Sequence, residues 1–328
     1  MKNLVKLDAI YEPIQKELQE LEQKLKAAID VDVPILSLLL DYVLESSGKR
    51  IRPAITLFAG KLNHYDLDLL LPAASAIEFL HSGSLVHDDV VDNSTKRRGK
   101  LTVNSLWGDT NAVLLGDYLF GKAASLVIAI GSVRVTELFS RAVMNIIAGE
   151  LRHKAAISNQ QSAIKEARHN YYRWIGAKTA CLFSVAAESG AILGQAPEEA
   201  IRALEDYGYN FGMAFQVVDD ILDFIGDEAE LGKPLGSDLS QGILTLPTIL
   251  FLERYPEDGV VKEAMGNNDT VNVKLAVERV SQSVIIRGCF DIASDFCHRA
   301  CQSLKNLPDH PSRSHLIDLA HYAVQRKK

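Results

Sequence analysis

The sequence predicts an all-α protein. Apolar residues recur at spacings of three and four in one long segment after another, which is the signature of helices with a buried face. No segment alternates with the period of two that a half-buried strand would show. Gly, Pro and Asn clusters fall between the periodic segments and not within them, and no repeat of 20–50 residues is present.

The chain has 328 residues. That length is compatible with about two domains, but no Pro/Gly/Ser-rich linker or charge run divides it. A single domain over residues 1–328 is therefore expected. A hydrophobic content of 47 % is ample for one large core, and 23 % charged residues is ordinary for a soluble protein. The net charge of −7 argues against nucleic acid or an anionic membrane surface as the main partner. Basic clusters are therefore local features. The N-terminus lacks the apolar core of a signal peptide, and no run approaches about 18 uninterrupted apolar residues, so no membrane span is expected. The four cysteines, Cys181, Cys289, Cys297 and Cys301, lack disulfide-style spacing. Cys297 and Cys301 flank His298 one turn apart, which suits a metal pair or, more simply, small buried residues of a late helix in a reducing compartment. The expected location is the cytoplasm.

In chain order, residues 4–29 form an amphipathic helix bearing Leu18, Leu21, Leu25 and Ile29. Pro34 opens the next, which stops at Ser46-Ser47-Gly48. Lys49, Arg50 and Arg52 then crowd into a Gly48-to-Pro53 turn before an apolar helix at 53–62. A long helix covers 67–91, followed by a connector at 99–108 and helices at 112–130, 133–157, 171–193 and 198–224. Lys178 lies inside an otherwise apolar run, where it either reaches the surface or meets an anion. After the Gly/Pro-punctuated loop 231–239, which carries Lys233 and is placed to close over a site, the rest of the chain reads as helices without evident chemistry.

Two stretches carry the chemistry. In His87-Asp88-Asp89-Val90-Val91-Asp92, Asp88 and Asp92 stand one turn apart on one helix face. Like charges so placed destabilise a helix unless something positive sits between them. Carboxylates with no Cys nearby suit a hard cation such as magnesium, which shares its shell with water and phosphates. Arg97-Arg98 follow, and arginine grips phosphate oxygens bidentately. Alone, this stretch is equally a solvated acidic helix end before a basic loop. The pattern returns, however, as Asp219-Asp220-Ile221-Leu222-Asp223, embedded among Val217, Val218 and Phe224. Carboxylates in such a setting need paired cations or a metal. Two clusters of this kind in one chain indicate a metal-dependent site.

These features resemble, over essentially the whole chain, the trans-isoprenyl (polyprenyl) diphosphate synthases, of the long-chain type that makes prenylquinone side chains. Gly48 to Pro53 is similar to the family's Gly-Lys-Arg-x-Arg-Pro box, and the two aspartate stretches to its two aspartate-rich motifs. His81, Arg97, Arg98, Lys178, Thr179, Gln216 and Lys233 fall where the family's motifs place them. The resemblance implies one antiparallel helix bundle around a central catalytic cavity, the isoprenoid synthase type I fold, usually a homodimer. It implies that an allylic diphosphate (farnesyl or geranylgeranyl) loses its diphosphate to leave an allylic cation. The double bond of isopentenyl diphosphate then attacks head to tail, and a proton is lost. Magnesium, about three ions per site, would be held by Asp88, Asp92 and Asp219, with Asp89, Asp220 and Asp223 supporting them. The resemblance gives Arg97, Lys178, Thr179, Gln216 and Lys233 to the allylic diphosphate, and Lys49, Arg52, His81 and Arg98 to isopentenyl diphosphate.

Two departures stand out. Ile243 occupies a position where the family often has Lys, and His153 one where Gln is common. Small residues at Gly83 and Ser84, just upstream of the first motif, leave the product tunnel open for a long chain. Leu80, Ile77 or side chains of the 112–130 helix remain able to close it at geranylgeranyl length. A terpene cyclase, or a catalytic subunit of a heteromeric synthase, are the rival readings. Intact Lys49, Arg52 and both aspartate motifs weigh against the cyclase.

Overall fold

A computed structural model describes residues 6–45, 48–158, 164–228, 234–266 and 270–326. Among these the only strands are β1 (Lys96–Arg97) and β2 (Lys100–Leu101), paired antiparallel; everything else regular is helical. The expected amphipathic N-terminal helix is broken into α1 (Leu7–Tyr11) and α2 (Gln15–Ala27) by a 3₁₀ turn, Glu12–Ile14. The cause is Pro13, which has no N–H to give to a continuous helix. Next come α3 (Pro34–Glu45), α4 (Ile51–Lys61) and α5 (Leu67–Val91). The Asp66 carboxylate accepts the Asp68 N–H at 3.0 Å and so fixes the start of α5.

The hairpin leads into α6 (Val103–Trp107), α7 (Asp109–Ala129), α8 (Val133–Ser158) and α9 (Ile164–Ile175). The helix expected over 171–193 is interrupted by a π-helical turn, Gly176–Ala180, before α10 (Cys181–Leu193). Such turns commonly mark functional positions. The remaining helices are α11 (Glu198–Ile225), α12 (Ser237–Ser240), α13 (Leu246–Arg254), α14 (Gly259–Ala264), α15 (Thr270–Ser281), α16 (Ile285–Ser303) and α17 (Pro311–Gln325).

Helices α5 and α11, which carry the aspartate motifs, run through the interior. Ala73, Ala74, Ala76, Ile77 and Leu80 of α5 pack in one hydrophobic cluster with α4, α7 and α10. The first half of α11 joins that cluster through Leu204, Tyr207 and Phe211. Its second half, from Val217 to Phe224, is buried in another cluster with α13 and α16. By length and composition alone α5 and α7 would each reach across a membrane, which does not overturn the expectation of no span, because core helices of a bundle meet the same criteria. For α5 the physical reason is burial on nearly all sides in the bundle, since a helix wrapped by others is apolar all round.

Candidate active site

The first motif lies in the last turn of α5. The Asp88 carboxylate is 3.2 Å from Lys178 Nζ, and the same ammonium is 3.0 Å from Glu150 of α8. Lys178 therefore meets anions inside the bundle. Asp92 lies 3.4 Å from Lys154, which also donates to the Val91 carbonyl. Asp89 points elsewhere and takes two hydrogen bonds from Arg97 Nε, at 2.9 and 3.1 Å. His87 turns away toward α7, with Nε2 3.0 Å from the Val113 carbonyl oxygen and 3.5 Å from Asp117.

The β-hairpin explains how neighbouring arginines serve different places. Its two-residue turn puts Arg98 (φ 51°) and Gly99 (φ 79°) in the left-handed region, as a type I′ turn requires. Arg97 turns back to Asp89, whereas Arg98 reaches the Gly48 turn, where its Nη1 is 3.6 Å from the position a Cβ on Gly48 would take. Arg50 is also left-handed (φ 50°). It is spent on structure, paired with Glu22 at 2.5 Å and Glu78 at 2.7 Å. Arg52 lies one residue into α4, over the Phe183 ring at 4.1 Å, and its buried Nε has no hydrogen-bond partner. Burial pushes its guanidinium down to about 10. Burial, followed by the charges of Arg52 and Arg98, holds His81 well below the ordinary imidazole range, so it is neutral. Lys49 completes this basic corner, its ammonium 5.9 Å from the Tyr322 ring centroid. Arg52, His81 and Arg98 are thus close enough to act on one another electrostatically, and Lys49 lies on the turn that precedes Arg52.

The second motif sits at the end of α11. Asp219 pairs at 2.7 Å with Arg326, whose guanidinium lies 3.8 Å over Phe215. Asp220 is buried and accepts from Tyr171 Oη at 2.6 Å and Gln216 Nε2 at 2.8 Å. Burial raises its carboxyl well above the usual range, with Asp238 adding to the effect. Asp223, also buried, accepts the Asp238 N–H at 3.2 Å and so links the start of α12 to α11.

The π-helical turn joins the two motifs. Lys178 reaches Asp88, and the next residue, Thr179, donates to Gln216 at 2.7 Å, which in turn holds Asp220. Both motifs are therefore joined through one chain of side-chain contacts. Among the nine predicted binding residues, only Lys233 falls outside the described residues.

The six aspartates divide by exposure. The side chains of Asp88, Asp92 and Asp219 are 19, 22 and 42 % exposed, while Asp89 is at 8 %. Asp220 and Asp223 are at 1 %. The donor set is all oxygen, the chemistry a hard divalent cation prefers. Among the described residues no three such side chains are already gathered around one point. Each accessible carboxylate is instead held by a cation of the chain itself.

Sequence reasoning missed Lys154, Arg326 and Tyr171, and left Glu150 without a role. Lys154 follows Glu150 by four residues, a spacing that reads as an ordinary surface pair. Arg326 gives no local signal at all, because its neighbour Asp219 is distant in sequence. One expectation is also corrected. Gly83 does not open a tunnel, because it faces α7, and a Cβ there would lie 2.8 Å from Phe120. Its smallness admits the Phe120 ring. Ser84, one turn from Asp88 on the same face, lies beneath the motif instead, its hydroxyl bonded to the His81 carbonyl at 2.8 Å.

Comparison with known proteins finds relatives over nearly the whole chain. The family model described as polyprenyl synthetase matches residues 33–281. An octaprenyl diphosphate synthase from Escherichia coli (strain K12) is 35 % identical over 329 residues, covering 98 % of this chain and 99 % of the relative. The heptaprenyl diphosphate synthase component 2 of Geobacillus stearothermophilus is 31 % identical over 322 residues, with 98 and 99 % covered. A polyprenyl synthase from Caulobacter crescentus CB15, whose crystal structure is complexed with calcium and isoprenyl diphosphate, matches with a TM-score of 0.93 at 32 % identity. Both chains are covered over 100 % of their length. The motifs, the contacts that join them and these matches have one explanation: the chain belongs to the polyprenyl synthetase family, whose prenyltransferase chemistry depends on magnesium.

Proposed function

We propose that this protein condenses isopentenyl diphosphate head to tail with farnesyl or geranylgeranyl diphosphate to build a long all-trans polyprenyl diphosphate. The observation that carries this reading is the Lys178-Thr179 turn, which ties Asp88 on one helix to Gln216 and Asp220 on another. The long product is supported by the heptaprenyl and octaprenyl names of relatives covered nearly end to end. A relative crystallised with a divalent cation and a diphosphate supports the same ligand classes here.

The roles follow from accessibility and charge. Asp88, Asp92 and Asp219, the least buried of the six carboxylates, are the residues to hold magnesium. Asp89, Asp220 and Asp223, buried and hydrogen-bonded, orient them and the loop beyond. Bound magnesium supplies Lewis-acid neutralisation of the departing diphosphate. Lys178 and Arg97, now on carboxylates, turn to the allylic diphosphate and stabilise charge as the C–O bond breaks. Thr179, Gln216 and Lys233 complete that subsite. Lys49, Arg52, His81 and Arg98 hold isopentenyl diphosphate, whose own diphosphate stays attached and needs no metal. The released diphosphate takes the proton, as the family resemblance implies.

We read residues 1–328 as one catalytic domain. We also read the protein as a cytoplasmic homodimer. The four free cysteines suit a reducing compartment. Exposed Leu114, Ile128, Met144, Ile147 and Leu151 on α7 and α8 form an apolar face of the kind that a second copy covers. A second reading, a catalytic subunit needing a different protein on that face, is favoured by the "component 2" relative.

Asp88→Ala and Asp219→Ala test the assignment. Each should cut incorporation of labelled isopentenyl diphosphate by about two orders of magnitude or more while the melting temperature stays within a few degrees. Near-normal turnover in either variant would remove that carboxylate from the site.

A further inference from the structure

The α8–α9 corner contains an arrangement that the reaction as described does not use. One oxygen of Glu150, Oε2, accepts both the Trp174 indole N–H at 3.2 Å and the Lys178 ammonium at 3.0 Å. Lys178 Nζ also lies 5.6 Å from the centroid of the Trp174 ring. His153 stacks nearly parallel on the same ring, with centroids 3.8 Å apart and 7° between planes. The buried His153 Nε2 has no hydrogen-bond partner, so what this residue contributes is its flat face. Burial pushes the imidazole down to about 4, which keeps another positive charge away from Lys178 and Lys154. Close helix approach fixes the corner: a Cβ on Gly149 would come within 2.6 Å of Ala177 in the π-helical turn.

We propose that His153 and Trp174 act as an aromatic clamp that sets, through Glu150, the position of the Lys178 ammonium and thereby the enzyme's hold on the allylic diphosphate. The proposal rests on the reading of Lys178 as a ligand of that diphosphate. Lys178 is shared between two carboxylates, Asp88 and Glu150. A Glu150 free to rotate would let the ammonium settle on Asp88, where it competes with the metal. The indole N–H holds Oε2 in place, and the imidazole face holds the indole. When diphosphate draws Lys178 from Asp88, the ammonium stays anchored on Glu150 and against the ring. His153 and Trp174 are positioning residues, since neither touches substrate.

The test is a kinetic comparison with each substrate varied in turn. Trp174→Phe keeps an aromatic face, though a smaller one, and deletes the N–H. It should raise the KM for the allylic diphosphate about five- to tenfold, with the KM for isopentenyl diphosphate unchanged. His153→Phe keeps the flat stack and should behave as the native protein, while His153→Ala should move the allylic KM in the same direction as Trp174→Phe. In a Lys178→Ala background Trp174→Phe should add nothing, since both then act on an absent ammonium. Equal changes in both KM values, or a loss of kcat alone, would assign the stack a merely structural role and overturn the clamp. An additive effect in the Lys178→Ala background would overturn it too. Should Lys178→Ala by itself leave the allylic KM unchanged, the reading of Lys178 fails, and the clamp with it.

Discussion

One residue type does several jobs in this chain, and burial with the nearest cation decides which. Asp88 and Asp219 are partly accessible and each pairs with a cationic side chain, whereas Asp220 is sealed between Tyr171 and Gln216. The sequence motifs identified all six aspartates, but their division into accessible and sealed depends on partners that come from distant helices. Glu188 of α10 shows the same physics away from the site. It is buried, 3.9 Å from Arg134, and burial followed by repulsion from Glu205 raises its carboxyl from the ordinary 4.5 to about 7. The folded state therefore binds the proton more tightly than the unfolded chain. This contribution is fully present below pH 4.5 and is lost as pH rises through about 7. Glu188→Gln should stabilise the protein by on the order of 1 kcal/mol at pH 8 and leave it unchanged near pH 4, as read from thermal melts at the two pH values.

The legibility of the elements followed their length. The 67–91 helix could be read to the residue because its apolar pattern is long and Asp66 marks its start. The N-terminal break at Pro13 and the π-helical turn at 176–180 were hidden inside continuous apolar periodicity. A π-helical turn changes the register by one residue without changing composition, yet it aims Lys178 and Thr179 at different motifs. The hairpin escaped notice because two-residue strands are too short to show a period. Gly83 was read as an opening, but the periodicity of α5 alone could not reveal that Phe120 of α7 fills the space. That correction selects the variant for probing product length. Gly83→Phe would collide with Phe120, whereas Ser84→Phe places a ring one turn from Asp88 on the motif's own face. Ser84→Phe should shorten the product by at least one isoprene unit, measured by chromatography of the dephosphorylated alcohols, with incorporation maintained.

For the whole molecule, α11 joins two hydrophobic clusters, its first half in one and its second half, with the second motif, in the other. The π-helical turn bridges the motif end of α5 and the motif end of α11. Overall class and family were legible because both motifs and the basic box are local strings. The apolar face on α7 and α8 was not, since a helix exposed to a partner and a helix buried in its own bundle have the same periodicity. The central claim, synthesis of a long polyprenyl diphosphate, is tested most directly by incubating the purified protein alone with magnesium, farnesyl diphosphate and labelled isopentenyl diphosphate. The dephosphorylated products are then sized by chromatography. The account predicts a ladder that ends in the heptaprenyl-to-decaprenyl range. A stop at geranylgeraniol would contradict the long product, and no incorporation with any primer would contradict a self-sufficient enzyme.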